Sequence, residues 1–411
     1  MAIGEGVAFA LGGLAGNNGH GAGFLQAALE TGVRPEMISC TSGQLLWVWH
    51  YLQLLDSGSG SAKTDSLQVR FADKLNELGP SRLMLEACLP GLVPPSAFLD
   101  WTSELSQRWP FARDFAWWSL AYFGKQKRYL PAYESLPLDL LRNWQQSIEE
   151  LTGRIKDGGL HRVFLLEFVA NLFPNRVLKP DFDAEFFSAI SDAFNQESFG
   201  GKPIGIVFNS YDPTTGYEYL HINEVARRQL GRTYGDPSSY RRRTRYAKID
   251  PDAVRNALWL YMYGFSGAHK RLDGAYYRDV ILSELCAPAV RLIYAVRPLN
   301  REWIGPLPGT YAGGKDLETE VGFNGTYVGE RDKIDLMNKV GAELSAIRTH
   351  LAQAGVKVPP AIGRTLSKYR EIKVIEVEPD TQRGYFDYVF EDKALFNSAR
   401  AKGHEHLSRS A

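Results

Sequence analysis

A serine lies at the point where a predicted strand turns sharply into a predicted helix. Residues 36–40 have the short apolar character of a buried strand, Ser42 follows within a T-S-G corner, and residues 45–55 have the composition of a helix. Such a tight turn lifts the serine hydroxyl above the sheet, at the positive end of the following helix. The position therefore suits a nucleophile that attacks a carbonyl carbon.

The residues around this serine depart from the usual spelling of such a turn. Positions two before and two after the serine are normally glycine, because the turn leaves little space for side chains. Here they are Cys40 and Gln44, of which only the first is small. The local sequence therefore leaves two interpretations open, in which Ser42 is either a nucleophile or the cap of a helix.

A glycine-rich loop at residues 12–21 follows the apolar run 7–11, which predicts the first strand. Glycine lets backbone N–H groups approach an oxygen that becomes negatively charged during acyl transfer. A dinucleotide or phosphate loop is the competing interpretation. The second predicted strand ends without the acidic residue that binds a ribose, and no Gly-Lys-Ser/Thr follows the loop, so nucleotide binding is disfavoured.

An aspartate-glycine pair, Asp273-Gly274, follows a predicted helix at residues 253–266. By itself such a pair usually marks a turn. It gains meaning from the glycine loop and from Ser42, because a carboxylate within reach of a serine hydroxyl can accept its proton.

Together these three segments resemble the patatin-like phospholipase family, whose motifs are a glycine-rich oxyanion loop, a serine elbow and a downstream Asp-Gly-Gly/Ala motif. The resemblance covers roughly residues 6–60 and 202–297, with the motifs in family order. Supporting matches lie at residues 23–25, 29–35 and 202–206. The residues that match the three motifs are Gly12, Gly13 and Leu14, then Ser42 and Gly43, then Asp273, Gly274 and Ala275.

The order of predicted strands and helices in residues 7–55 favours a parallel α/β sheet, and the resemblance implies a three-layer α/β/α core. We expect a hydrolase domain at residues 1–330, interrupted by a helical insertion at about 97–199. We expect an α+β extension at 331–411 that packs on this core. Within it, residues 331–354 have the apolar spacing of an amphipathic helix, and residues 371–377 predict a late strand.

The resemblance also implies a mechanism in which two side chains form a catalytic dyad. Ser42 would be the nucleophile and Asp273 the base, without a histidine. The oxyanion would be held by the backbone N–H groups of Gly12, Gly13, Leu14 and Gly43.

Several positions differ from the family pattern. The arginine that usually follows the glycines of the oxyanion loop is absent before residue 32, and D-V-I at residues 279–281 stands where the family often has Asn-x-Pro. Two histidines lie near the motifs, His20 in the glycine loop and His269 upstream of Asp273. A Ser–His–Asp triad is therefore an alternative to the dyad.

We therefore expect a serine acyl hydrolase that cleaves carboxylic esters of lipids, such as a phospholipase A, a lysophospholipase or a lipid esterase. One alternative is an acyltransferase that uses the same dyad. Another is a catalytically silent lipid-binding protein with this fold, which the altered elbow and the missing arginine motivate.

The amino-acid composition argues against several classes of binding partner. The chain has 47 lysines and arginines and 47 aspartates and glutamates, so no global field favours nucleic acid or an anionic membrane. Any attraction to an acidic surface must therefore be local. Its three cysteines form no paired framework, which indicates a reducing, cytoplasmic location. No spacing of ligands predicts a metal site, no motif predicts a cofactor, and no apolar run has the length of a membrane span.

Two features suggest peripheral contact with a membrane. An aromatic stripe followed by basic residues could enter a lipid interface or pack on the core as a lid helix. An arginine run at residues 241–243, with Arg245, could meet phosphate headgroups or form a solvated loop. The stripe consists of Phe111, Phe115, Trp118 and Tyr122, followed by Lys125, Lys127 and Arg128.

Overall fold

A computed structural model describes part of the N-terminal region and most of the chain from residue 183 onwards. The described residues are 6–13, 18–57, 66–70, 183–239, 241–260, 265, 270–287, 289–303, 307, 311–360, 362–363, 371–380 and 393–409. The chain divides into two compact units, of which the first comprises Met1–Glu77, Asp183–Trp259 and Arg271–Ala411. The second comprises Leu78–Phe182 and Leu260–Lys270. The predicted aromatic stripe and most of the predicted helical insertion lie outside the described residues.

The first unit contains an eight-stranded sheet flanked by α-helices. The strands are β1 (Val7–Leu11), β2 (Met37–Cys40), β3 (Gly205–Asp212), β4 (Tyr217–Ile222), β5 (Thr244–Lys248), β6 (Leu272–Asp273), β7 (Leu292–Val296) and β8 (Lys373–Val377). The helices are α1 (Gly19–Thr31), α2 (Gln44–Ser57), α3 (Ala184–Phe194), α4 (Glu224–Leu230), α5 (Pro251–Ala257), α6 (Tyr311–Gln353) and α7 (Lys393–Ser408).

The sheet has the strand order β5-β4-β3-β2-β1-β7-β8, and β6 pairs with the end of β3. Strands β3, β2, β1, β7 and β8 run parallel to one another. Both β4 and β6 are antiparallel to β3, and β5 is parallel to β4. The predicted α/β class with a mainly parallel sheet is confirmed.

Helices cover the two faces of this sheet, which gives the predicted three layers. Side chains alternate between the faces of a strand. On one face Phe9 of β1 packs edge-to-face on Phe24 of α1, with ring centroids 5.0 Å apart. On the other face, Ala8 and Ala10 belong to a buried cluster with Tyr327 of α6 and Ala226 of α4. The α/β/α core is therefore assembled from segments that are far apart in the sequence.

The C-terminal residues complete the core. The predicted late strand is observed as β8, which pairs with β7 from Leu292 opposite Lys373 onwards. Helix α7 packs closely on α1, because a Cβ at Gly23 would overlap the carbonyl oxygen of Phe396. This approach of two helix backbones requires glycine at that point.

Helix α6 is longer than the sequence predicts. It begins at Tyr311 instead of residue 331, so it runs through 330 and 331 without a break. The domain boundary at that point stays a prediction. Of the expected apolar stripe, Ile334 is buried, whereas Ile347 is 50% exposed. Among the described residues, no helix combines the length and the apolar composition that crossing a membrane requires.

A buried cluster of charges joins β4, α6 and the segment that follows β6. The guanidinium of Arg278 lies 2.9 Å from Glu218, 2.7 Å from Glu284 and 3.0 Å from Glu330, and all four side chains are fully buried. Burying a charge costs free energy unless it is paired and hydrogen-bonded. Here every carboxylate also accepts a hydrogen bond from a hydroxyl group. The hydroxyl donors are Thr244 to Glu218, Ser238 to Glu284 and Ser283 to Glu330.

Two further cations balance the cluster. Arg241 and Lys333 each bind Glu330, at 2.9 Å and 2.7 Å, so three cations meet three carboxylates. Burial alone would raise the pKa of Glu330, but Arg278, Arg241 and Lys333 together hold it well below its usual range. Arg241 therefore points into the protein, whereas its neighbours Arg242 and Arg243 are exposed. The arginine run is not one solvated loop.

We expect Arg278→Met to lower the free energy of unfolding by about 3–5 kcal/mol, because it leaves buried carboxylates without their central cation. Urea unfolding followed by tryptophan fluorescence measures this loss. The matched control is Arg348→Met, at an exposed arginine of α6, which should change stability by less than about 0.5 kcal/mol. Equal effects of the two substitutions would contradict a stabilising role for the cluster.

Candidate active site

The predicted elbow is a strained turn. Ser42 lies between the end of β2 and the start of α2 with φ 54°, and it is the one non-glycine residue with positive φ within the described part of the chain. That conformation costs on the order of 1–3 kcal/mol for a residue with a side chain. A helix N-cap instead has extended backbone angles. The geometry is therefore that of a nucleophile elbow and not that of a cap.

The unusual Gln44 fits this turn because of a glycine on the neighbouring helix. Its Nε2 donates to the carbonyl oxygens of Gly12 and Asn18, at 3.2 Å and 3.3 Å. A Cβ at Gly21 of α1 would overlap the Gln44 amide group. The missing side chain at Gly21 therefore makes room for Gln44 at a position where such a turn usually has glycine. Sequence reasoning identified Gln44 as a departure but missed its partner.

Asp273 lies beside the elbow, on the short strand β6. Residues Ser210 and Asp273 are opposite each other in the antiparallel pair with β3. The Asp273 carboxylate accepts a hydrogen bond from the Ala275 N–H at 2.9 Å. The Ser42 side chain lies close enough to this carboxylate to lower its pKa. The fold thus brings together the two residues that the sequence separates by more than half its length.

Burial controls the acidity of this carboxyl. Ser42 and Asp273 are only 2% and 1% exposed. Burial raises the pKa of Asp273 to about 7, although the Ser42 side chain and the Ala275 amide oppose the rise. Because these two groups stabilise the ionised form and burial the neutral form, the group titrates near neutral pH. A carboxylate of this kind can accept a proton at pH 7 and release it again.

Asn209 of β3 holds the turn that follows Asp273. Its Nδ2 donates to the carbonyl oxygens of Gly274 and Arg278, both at 3.2 Å, and to Glu218 at 2.9 Å. A Cβ at Gly274 would overlap the Asn209 amide group, so the contact requires glycine there. This asparagine was missed from the sequence. The available signal was a polar amide directly after the apolar residues 205–208 of β3.

The predicted oxyanion donors have different environments. The Gly12 N–H donates to the Val296 carbonyl at 2.8 Å, and the Gly13 N–H donates to the Thr41 hydroxyl oxygen at 2.7 Å. Each amide has one hydrogen, so both are already bonded in this structure. Leu14 lies outside the described residues. The Gly43 N–H donates to no acceptor within the described ranges, so Gly43 is the predicted donor that is available.

Gly13 nevertheless shapes the elbow. A Cβ there would overlap the Thr41 carbonyl oxygen and lie 2.7 Å from the Cβ of Ser42. The Thr41 hydroxyl, which accepts from Gly13, donates to the Asp279 carbonyl at 2.6 Å. Gly12 and Gly13 therefore allow close approach of the loop to Ser42. As oxyanion donors they would first have to break these hydrogen bonds.

Neither His20 nor His221, among the described histidines, forms a triad with these residues. His20 is buried in α1, where its Nε2 donates to the Val377 carbonyl at 2.9 Å, and burial lowers its pKa to about 4. His269 lies outside the described residues. His221 of β4, which sequence reasoning missed, accepts from the Ser210 hydroxyl at 2.9 Å. Its second nitrogen lies 3.0 Å from the Lys248 carbonyl, and burial lowers its pKa to about 4 as well.

The comparisons and the search for metal ligands identify no further site. Within the described residues, no group of three or more histidines, cysteines and carboxylates is arranged to hold a metal ion. A scan against protein-family models and a search of curated proteins find no match to this chain. Functional inference therefore depends on the geometry around Ser42 and Asp273.

We expect the space at position 21 to be coupled to the side chain at position 44. Gly21→Ala should destabilise the protein by at least about 1 kcal/mol, because the new methyl overlaps Gln44. In a Gln44→Ala background the same substitution should be neutral or stabilising by up to about 1 kcal/mol, since alanine favours helix formation. A double-mutant cycle in urea measures the coupling. Additive effects would contradict the proposed fit.

We expect Asp273→Asn to raise stability at high pH. In the folded protein the carboxyl binds its proton up to about pH 7, whereas an unfolded aspartate titrates near 4. The folded state binds more protons between these values, so wild-type stability falls as pH rises through this window. At about pH 8 the variant should exceed the wild type by on the order of 3 kcal/mol, and near pH 4 the two should converge.

The control for this comparison is Asp252→Asn, at an exposed carboxyl of α5. Its stability difference from the wild type should stay within about 0.5 kcal/mol at every pH. Urea unfolding at a series of pH values gives both curves. A stability gain of Asp273→Asn that is independent of pH would show that the folded carboxyl titrates in its ordinary range.

Proposed function

We propose that this protein is a serine acyl hydrolase that cleaves carboxylic esters of lipids, with Ser42 as nucleophile and Asp273 as base. The observation that carries the proposal is the placement of the strained Ser42 beside a buried aspartate whose pKa is raised to about 7. Acyl transfer of this kind requires a serine oxygen as nucleophile and a base with a pKa near neutral pH, and Ser42 and Asp273 would supply these two groups. The resemblance to patatin-like phospholipases supports lipids as the substrate class.

Acylation would start with the Ser42 hydroxyl. Its Oγ attacks the ester carbonyl carbon while Asp273 accepts the hydroxyl proton. The carbonyl electron pair moves to oxygen, and the Gly43 N–H at the start of α2 can donate to this oxyanion. Collapse of the tetrahedral intermediate breaks the bond to the alcohol, which takes the proton from Asp273. The products of this step are the free alcohol and an acylated Ser42.

Deacylation would use the same groups in reverse. A water molecule attacks the acyl carbon and gives its proton to Asp273, which then protonates the departing Ser42 oxygen. The fatty acid leaves and the dyad is restored. A base with a pKa near the working pH serves both directions, because it binds and releases the proton at similar cost.

Two other functions make distinct predictions. An acyltransferase would use the same steps with an alcohol or thiol in place of water, and product analysis with such acceptors identifies it. A catalytically silent lipid-binding protein is favoured by one observation, the hydrogen bonds that already engage the Gly12 and Gly13 amides. Such a protein would retain lipid during purification and turn over no ester.

The test of the proposal is reaction with a fluorophosphonate probe and with a panel of fatty-acyl p-nitrophenyl esters. We expect wild-type protein to be labelled and Ser42→Ala to lose both labelling and turnover. The matched control is Ser210→Ala, because Ser210 is a buried serine opposite Asp273 whose hydroxyl bonds to His221. Labelling that survives Ser42→Ala, or is lost only in Ser210→Ala, would overturn the assignment.

The same assay examines the base. Ionised Asp273 is the active form, so kcat/KM should rise with pH through about 7 and then level off. Asp273→Asn should lower kcat by at least about a hundredfold. His20→Ala should keep the pH profile of the wild type, since His20 bonds to β8. Near-full activity of Asp273→Asn would exclude the dyad.

A further inference from the structure

The edge of the sheet next to Asp273 carries a set of arginines and tyrosines. Tyr219 and Asp273 lie on opposite sides of the same β3 residue, Ser210, and Arg245 of β5 lies opposite Tyr219. Residues that are directly opposite share a face of the sheet. Arg245, Tyr219, Ser210 and Asp273 thus form one row across four strands. At about 4.8 Å between strands, the row is roughly 14 Å long.

A second row lies one step nearer the sheet end. Tyr217 is opposite Asp212, and alternation places Arg243 and Arg271 on the same face as these two. We call the set Tyr217, Tyr219, Arg243, Arg245 and Arg271 the arginine–tyrosine face.

The arginines of this face stack on its tyrosine rings. The Arg271 guanidinium lies 3.9 Å from the centre of the Tyr219 ring, and Arg245 lies 5.0 Å from that of Tyr217. Arg243 is exposed and reaches the Thr215 carbonyl at 3.4 Å. Stacking orders a guanidinium while its N–H edges stay available, which suits bidentate binding of phosphate oxygens.

The charge of this face is not neutralised by the protein around it. None of Arg243, Arg245 and Arg271 forms an ion pair with a carboxylate in the described part of the chain, in contrast to Arg241 and Arg278. The rows contain two carboxylates, Asp273 at the buried end and Asp212, whose oxygen accepts from the N–H and hydroxyl of Thr214. The face therefore carries a net positive charge on a chain whose total charge is zero.

We propose that the arginine–tyrosine face docks the protein on an anionic phospholipid surface. Tyrosine is favoured at the headgroup level of a bilayer, and arginine binds lipid phosphates. The inference rests on the proposed function, because the rows end at Asp273 and so hold the bilayer beside Ser42. A nucleic acid could also bind arginine and tyrosine side chains, but its phosphodiesters are not the carboxylic esters that the neighbouring dyad would cleave.

Vesicle binding tests this inference separately from catalysis. The Ser42→Ala protein is used so that binding is measured without hydrolysis of the vesicle lipids. It is sedimented with vesicles of phosphatidylcholine alone or of phosphatidylcholine mixed with phosphatidylglycerol. We expect binding to the mixed vesicles only, and weaker binding as salt rises. Substituting Arg243, Arg245 and Arg271 together by Gln should weaken binding about a hundredfold, since each basic residue near an anionic surface contributes a factor of roughly five.

The matched control removes the same charge elsewhere. Lys339, Arg348 and Lys357 are exposed residues on or after α6, and their joint replacement by Gln should weaken binding less than about threefold. Thermal melting of both triple variants checks that they remain folded. Equal losses in the two triple variants, equal binding to the two vesicle types, or no binding at all would overturn the inference. Binding of single-stranded DNA that depends on these three arginines, without binding to either vesicle type, would assign the face to nucleic acid instead.

The two proposals fail in different experiments. If wild-type protein hydrolyses soluble esters but the face variants bind mixed vesicles normally, the docking inference is wrong and the proposed function stands. If vesicle binding depends on the face while no ester is turned over, the protein is a lipid-binding protein without the proposed activity.

Discussion

The structure depends on one fully buried arginine. Arg278 binds Glu218 of β4, Glu284 of the segment after β6, and Glu330 of α6. A single guanidinium therefore joins these three parts of the fold. Removing charges from water is costly, and the cost is recovered only when geometry and hydrogen bonds are complete. Such a cluster tolerates little displacement of any member. It therefore fixes where the chain passes after Asp273 more strictly than apolar packing would, because apolar side chains can repack.

The contrast between Arg278 and Asp273 explains how the site is held. Arg278 and Asp273 are five positions apart. Arg278 is completely paired, whereas Asp273 is buried and has no ion-pair partner in the described part of the chain, so its pKa rises. Asn209 links the two, because its amide bonds to both Gly274 and Arg278. Stability lost at the carboxylate and in the strained turn at Ser42 can be offset by the cluster beside them. This division between a rigid support and a destabilised centre is common in enzymes.

The parts of this picture that follow local rules were predictable from the sequence. A short apolar run, a T-S-G corner and a helical stretch predicted the turn at Ser42, and the alternation of strands and helices predicted the parallel sheet. The Arg278 cluster was not predictable, because its members come from four separate segments and charged residues are normally expected at the surface. The pairing of Gly21 with Gln44 was hidden for a similar reason. Gln44 is visible in the sequence as a departure, but nothing in the sequence connects it to Gly21, and only the packing of α1 against α2 relates them.

The packing of α1 on α7 has a consequence for how the chain reaches this fold. Glu30 of α1 binds Arg400 of α7, 370 positions later, and Gly23 receives the backbone of Phe396. During synthesis the side of α1 that packs on α7 therefore stays uncovered until the residues 370 positions later have been made. Contacts over such a separation form slowly, and surfaces left open meanwhile are prone to association. Ribosome-bound intermediates of this protein would thus be natural clients for a chaperone that shields apolar helices.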